Sequence, residues 1–294
     1  MNTLSEFAKE IMLAGLDKSG GIPVQDSFGE RLVGNIFDVP EKPEGYNFNF
    51  VKPRDTVAVL VTGGLDSSAL YYMAEKSGRN VKAFYVDIGQ PYAYKEISAL
   101  EIMGIPFELV KPDVKLDASK FWKHIIPGRN FYFLSLVAEM IQGGEIWFGA
   151  TNGEMPVRGG DKSLAFIHHC NELFSHLPYK VEVKTPLAQM TKGEIVAWWK
   201  KHVPLEKLKV TVSCFDGEVG ACGKCQSCLR KALAFASNRL ELETEVDVRE
   251  GCKQYIEKYL TVLNEALKNE DFSHYSKKRA LEDLLAIKIL TGRS

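Results

Sequence analysis

A doubly wound α/β sheet is the fold class this sequence predicts, and three observations predict it. Short β-branched runs alternate with stretches of helical period from Thr56 onward, the runs are mostly apolar, and a Gly-Gly turn follows the first of them directly. Strands buried on both faces read as continuous apolar runs, and helices between them supply the crossovers of a parallel sheet.

The elements follow in order. Val57 to Val61 reads as the first strand and Ser67 to Lys76 as the first helix; Val81 to Val86 and Tyr94 to Met103 repeat the unit. Phe107 to Val110, a helix from Asn130 to Gln142, and Glu145 to Gly149 continue it. A helix over about Leu164 to Leu177 and a late strand at Val181 to Val183 come next. Thr191 and Glu194 then have the spacing of a capping box that opens a helix through Lys201. Residues 1–50 combine a short amphipathic stretch, Leu4 to Leu16, with Gly- and Pro-punctuated segments, and are expected to pack onto a domain as an N-terminal extension. Residues 237–294 are charged and helical by period, with Tyr255, Tyr259, Val262, Leu263 and Leu267 as the expected apolar stripe of a C-terminal extension, buried on the core or on a second subunit. Between the extensions lie the α/β domain, 51–210, and a cysteine-rich segment, 211–236.

Composition excludes several classes. The 294 residues, 45% hydrophobic, can bury a substantial core. With 37 basic and 38 acidic side chains the formal net charge is -1, which disfavours direct nucleic-acid binding. No apolar run approaches the ~20 residues that cross a bilayer, and the first ten residues carry acids and no apolar signal core. A cytoplasmic protein without membrane contact is expected.

The turn Thr62-Gly63-Gly64-Leu65-Asp66-Ser67-Ser68 joins the first strand to its helix. In an open parallel sheet this position delivers backbone N–H groups and a helix N-terminus to an anion. The glycines let the main chain approach phosphate, and Thr62, Ser67 and Ser68 add hydroxyls. The loop lacks the Lys of a Walker loop and the three glycines of the dinucleotide fingerprint. A plain turn in which Asp66 and Ser67 cap the helix is the other reading.

Cys214, Cys222, Cys225 and Cys228 crowd together, whereas Cys170 and Cys252 stand alone as expected buried thiols. Two-residue gaps form tight knuckles, with Gly217, Gly220 and Gly223 for the turns, so the four thiolates suit structural Zn2+; an iron–sulfur cluster is the competing cofactor.

The loop resembles the Ser-Gly-Gly-x-Asp-Ser signature of the PP-loop ATP pyrophosphatases, with Thr62 for the first serine. That resemblance implies a fold that cleaves ATP between the α and β phosphates, holds pyrophosphate in the loop and transfers AMP. It also implies adenine and ribose contacts at Val86 and Asp87, Mg2+ at Asp66, and a Pro-x-Arg-Asn element in which Arg129 and Asn130 face the nucleotide. Surface placement of Arg129 remains the alternative.

Val212-Ser213-Cys214-Phe215, the run Gly220 to Arg230, Ala234-Phe235, Thr185-Pro186-Leu187 and Lys192-Gly193-Glu194-Ile195-Val196 together resemble the 7-cyano-7-deazaguanine synthase (QueC) family, over about residues 56–236. The resemblance implies that 7-carboxy-7-deazaguanine, ammonia and ATP are substrates, that Asp66, Ser67, Arg129 and Lys192 are catalytic, and that Asn152, Asp161 and Phe166 bind the deazaguanine. Ser163 stands where the family carries arginine, and Lys162 or Arg158 is the candidate replacement cation. A relative that hands the acyl group to another amine, such as one on a protein, is the alternative function; a binding module that lost catalysis is the third. His168 and His169, adjacent on one helix, are expected to face solvent. A homodimer through the C-terminal stripe is permitted.

Overall fold

Val57 and Val59 point to one face of a sheet and Ala58 and Leu60 to the other, and all four are buried. That alternation requires cover on both sides. The computed structural model describes residues 22–25, 31–34, 55–113, 126, 128–152, 160–214, 220–273 and 276–292. The stretch expected at Leu4 to Leu16 lies outside them, as do Arg158, Phe215 and Gly217.

Two units are distinguished, 1–49 and 50–294. In the first, β1 (Ile22–Gln25) pairs antiparallel with β2 (Arg31–Gly34).

The second unit holds a five-stranded sheet of β3 (Thr56–Leu60), β4 (Asn80–Val86), β5 (Glu108–Val110), β6 (Gly144–Trp147) and β7 (Val181–Lys184). Every pairing is parallel and the order is β5-β4-β3-β6-β7. The connecting helices are α1 (Leu65–Lys76), α2 (Ala93–Met103), α3 (Arg129–Ile141) and α4 (Leu164–Phe174). Right-handed crossovers that run one way from β3 and then back place helices on opposite faces. Accordingly α1 and α2 cover the face of Val57 and Val59, and α3 and α4 the face of Ala58 and Leu60. The doubly wound expectation holds. The direction of winding reverses between β3 and β6, and there the carboxyl ends of the strands part.

Beyond the sheet come α5 (Lys192–His202), α6 (Leu205–Lys209), α7 (Gln226–Ala236), α8 (Val248–Gly251), α9 (Lys253–Asn269) and α10 (Lys277–Thr291). The capping box at α5 is formed in both directions, Thr191 accepting from the Glu194 N–H and Glu194 from the Thr191 N–H. Two turns later, fully buried Trp199 rests edge-on against Tyr72 at 5.3 Å and donates to the Leu65 carbonyl at 3.4 Å. This contact fixes α5 beside α1.

The expected apolar stripe of α9 holds at Tyr259, Leu263 and Leu267, which belong to one cluster, and fails at Tyr255, where Ile256 takes the inward position. Ile256, Tyr259 and Leu263 are buried, while Tyr255 is 40% exposed. Helix α7, with Leu229, Ala232 and Leu233, packs in the same cluster as α9 and, from α10, Ala280, Ala286 and Ile287. Positions 252, 256, 259 and 263 satisfy the helical period on the side facing α7; Tyr255 falls a residue outside that arc. Among the described residues no helix is long and apolar enough to cross a membrane.

Candidate active site and cysteine cluster

The loop after β3 is tightly organised. The Thr62 N–H donates to Ser67 Oγ at 3.1 Å, the Thr62 and Ser67 hydroxyls share a 3.1 Å hydrogen bond, and the Ser68 N–H donates to the Gly64 carbonyl at 3.1 Å. Gly63 has φ +64°, and a Cβ there would lie 2.5 Å from the Glu96 carbonyl oxygen, so the turn and the close approach of α2 both require glycine. Ser68 is wholly buried and its Oγ has no hydrogen-bond partner among the described residues.

Asp66, in the first turn of α1, accepts a charge-assisted hydrogen bond from Lys192 at the start of α5. Their side chains are 17% and 24% exposed, and the second oxygen of Asp66, Oδ1, is buried without a partner among the described residues. A Cβ on Gly149, just past β6, would come 3.8 Å from Asp66 Cβ, which places the pair in the crevice where the winding reverses. Asn152, whose N–H donates to the Met190 carbonyl, and buried Thr151 lie on the same connection.

Arg129 opens α3. Its charge bears on Glu96 and Tyr92 of the α2 segment, whose backbone abuts Gly63. Glu96 is 8% exposed and accepts a 2.7 Å hydrogen bond from the Tyr85 hydroxyl, which in turn accepts from Gln90. Burial pushes the Glu96 carboxyl up to about 7, against the lowering effect of the Tyr85 hydrogen bond and of Arg129. Glu96, Tyr85 and Gln90 were not singled out from sequence; the available signal was an acid on the inward side of an amphipathic helix. Val86 is a core side chain, and Asp87 caps its own turn by accepting from the Gly89 N–H at 2.9 Å. Asn130 is buried and donates to the Asp161 carbonyl at 3.4 Å, and Phe166 lies against Phe148. Ser163 is the N-cap of α4, accepting from the Phe166 N–H.

His168 and His169 are exposed as expected, but both reach Glu172, at 3.4 and 3.0 Å. Side-chain length brings together two neighbours whose Cα positions diverge.

The four sulfurs of Cys214, Cys222, Cys225 and Cys228 lie within 4.8 Å of one another. Cys222 and Cys228 are 3.9 Å apart and Cys225 and Cys214 4.0 Å. Tetrahedral ligands at about 2.3 Å from one ion stand roughly 3.8 Å apart, so the donor set fits a single metal. Backbone N–H groups of Cys222, Lys224 and Cys228 point at the sulfurs of Cys214, Cys222 and Cys225 at 3.4 to 3.5 Å, stabilising negative charge there. The Cys252 thiol donates to the Gly223 and Cys225 carbonyls beneath the knuckle. Cys170 is buried on the α3–α4 face.

Loop and cluster are joined. The Val212 N–H donates to the Gly63 carbonyl at 2.8 Å, two residues before the first cysteine. Lys231 of α7, 4% exposed, donates to the Thr211 carbonyl, and burial draws its ammonium down to about 8.

A parallel sheet with a hydroxyl-rich Gly-Gly loop at its winding reversal, an acid–lysine pair beside it and a knuckle of four cysteines that could hold a metal fit the class of nucleotide-binding α/β proteins. The family model "Queuosine biosynthesis protein QueC" matches residues 108–239. A 7-cyano-7-deazaguanine synthase from Methanocaldococcus jannaschii is 31% identical over 225 residues, 63% of this chain and 97% of the relative. One from Marinobacter nauticus is 26% identical over 216 residues, 63% and 94%. The chain belongs to the 7-cyano-7-deazaguanine synthase (QueC) family. Among solved structures, the U34-tRNA thiolase NcsA from Methanococcus maripaludis with its [4Fe-4S] cluster is similar at 14% identity and a TM-score of 0.43, covering 83% of this chain and 75% of that one.

Proposed function

We propose that this enzyme converts 7-carboxy-7-deazaguanine, ammonia and ATP into 7-cyano-7-deazaguanine, for 7-deazapurine biosynthesis of the queuosine type. The observation that carries the reading is the Asp66–Lys192 pair at the mouth of the Gly63-Gly64 loop, in the crevice where the sheet reverses.

A carboxylate is a poor acyl donor because oxide does not leave. Attack of a carboxylate oxygen on the α phosphorus of ATP expels pyrophosphate and gives an acyl adenylate; ammonia then displaces AMP and leaves the amide. Attack of the amide oxygen on a second ATP, followed by loss of AMP and a proton, forms the nitrile. Catalysis of this kind is positioning and charge stabilisation. The loop N–H groups with Thr62, Ser67 and Ser68 would hold pyrophosphate, and Asp66 would contact Mg2+ through the oxygen not engaged by Lys192. Lys192 and Arg129 would supply positive charge to the departing phosphates. Val86, Asp87 and Asn130 would line the nucleotide, and Asn152, Asp161 and Phe166 the deazaguanine.

The cysteines are assigned Zn2+. Sulfurs within 4.8 Å of one another support a single-ion site, the arrangement that four thiolates give Zn2+, over a cluster of several iron and sulfide atoms. With four protein ligands the metal would be structural.

Mass spectrometry of products from 7-carboxy-7-deazaguanine, MgATP and an ammonium salt tests the assignment. A nitrile with AMP and pyrophosphate is expected. An amide or adenylate that goes no further transfers the assignment to the ligase alternative, and absence of ATP turnover overturns both.

A further inference from the structure

Helix α10 begins beyond residue 239, the last that the family model matches, yet it meets the crevice repeatedly. Ser276 at its start donates to Asn152 Oδ1. Lys278 reaches Glu194 at 2.6 Å and the Gln189 carbonyl at 2.9 Å. Glu282 accepts from the Thr191 hydroxyl and, at 2.9 Å, from the Gly193 N–H, so it grips the two residues that flank Lys192. The approach is close: a Cβ on Gly193 would stand 2.6 Å from the Glu282 carboxylate.

Asp283 pairs with Arg279 at 3.2 Å, both side chains nearly enclosed at 13% and 14% exposure. The positive charges of Arg230 and Lys192 also act on it. Arg279, Glu282 and Asp283 of α10 line one polar crevice together with Thr151, Lys192 and Arg230. Two adjacent half-buried acids are costly unless compensated, and on a merely structural helix apolar residues would fill such positions at lower cost. The compensation for Glu282 comes from Thr191 and Gly193 at the start of α5, and that for Asp283 from Arg279, Arg230 and Lys192.

We propose that Glu282 and Asp283 are positioning residues for Lys192, which makes the C-terminal helix a working part of the adenylating site. The inference rests on the adenylation reading above. Glu282 fixes the first turn of α5 on either side of Lys192, and Asp283, which lines the same crevice, adds negative charge near the ammonium besides Asp66. When Asp66 turns to Mg2+ and pyrophosphate, Lys192 keeps a counter-charge that holds it beside the leaving group.

The test is pyrophosphate release by full-length Glu282→Gln and Asp283→Asn, alone and combined with Lys192→Ala, with metal content and thermal midpoint measured in parallel. A small displacement of a positioned group costs up to about 100-fold, so kcat is expected to fall roughly 10- to 100-fold in each single variant with KM for ATP changed less than about threefold. In the Lys192→Ala background neither change should reduce kcat further, a non-additivity that general destabilisation does not produce. Arg249→Ala, which removes an exposed ion pair with Asp247, should leave kcat unchanged. Wild-type kcat in both single variants, or losses that simply add to that of Lys192→Ala, overturns the proposal. If the wild type releases no pyrophosphate, the adenylation reading has failed. The coupling of 282 and 283 to 192 is then read from MgATP affinity by calorimetry, where its absence overturns the positioning role independently.

Discussion

In the loop after β3 the hydroxyls of Thr62 and Ser67 hydrogen-bond to each other and the backbone closes on itself through Ser68 and Gly64. In the cysteine cluster, by contrast, four sulfurs within 4.8 Å face one another, and the ring they form has its centre where a cation belongs. Hydrogen bonds within the chain therefore shape the first site before any ligand arrives, whereas four mutually facing thiolates would need a cation to hold together. Yet the two are coupled through the hydrogen bond from Val212 to Gly63. A preorganised site can thus be hostage to a neighbour that is not preorganised.

Metal removal breaks the comparison most severely. Structural zinc contributes on the order of 10 kcal/mol to small thiolate sites, so Cys214→Ser or prolonged chelation should remove the metal, lower the melting temperature sharply and abolish pyrophosphate release as the Val212 tether is lost. Elemental analysis, calorimetry and turnover on the same sample check this; unchanged turnover in metal-free protein would sever the coupling.

Next in size is Lys192→Ala, which should cut pyrophosphate release by about 100-fold or more, as removal of a transition-state charge contact does. The fold should survive, since the buried anchor of α5 is Trp199. A thermal scan beside the kinetics separates the two effects.

Glu96→Gln sharpens the electrostatic side. The Glu96 pKa is raised from 4.5 to about 7 in the folded protein, mainly by burial, so the folded state holds its proton more tightly than the unfolded chain. Its stabilising contribution is fully present below pH 4.5 and is lost as pH rises through 7. The loss amounts to about 3 kcal/mol at most. Denaturant titrations from pH 4 to 8 should show that fall in the wild type and a flatter profile in the glutamine variant.

Ser68→Ala is the smallest. Its buried hydroxyl lacks a partner among the described residues, so removal should stabilise the ligand-free protein by up to about 1 kcal/mol. If that hydroxyl serves phosphate, the same change should weaken MgATP binding several-fold. Stability and affinity moving together would exclude that role.

Much of this was legible in the chain. Val57 to Val61 and the second half of Val81 to Val86 announce central strands because both faces are buried there, and the cysteine gaps announce a knuckle because two-residue gaps let the sulfurs converge. The capping box at Thr191 was equally plain, since its two partners are three residues apart. Glu282 and Asp283 were not. In sequence they are acids in a charged helix, and only the docking of α10 on α5 turns them inward. Glu96 was missed for the same reason: its burial depends on Tyr85 and on the loop beneath it. Periodicity reports which face of an element is apolar, but not which polar residue will meet a partner on another element.

The docking of α10 also sets an order of folding. The contacts from Glu282 to Thr191 and Gly193 span 91 and 89 positions, so each closes a long loop. Such contacts are rewarded only after the sheet has brought α5 beside α1, and the crevice is therefore among the later parts of the domain to assemble.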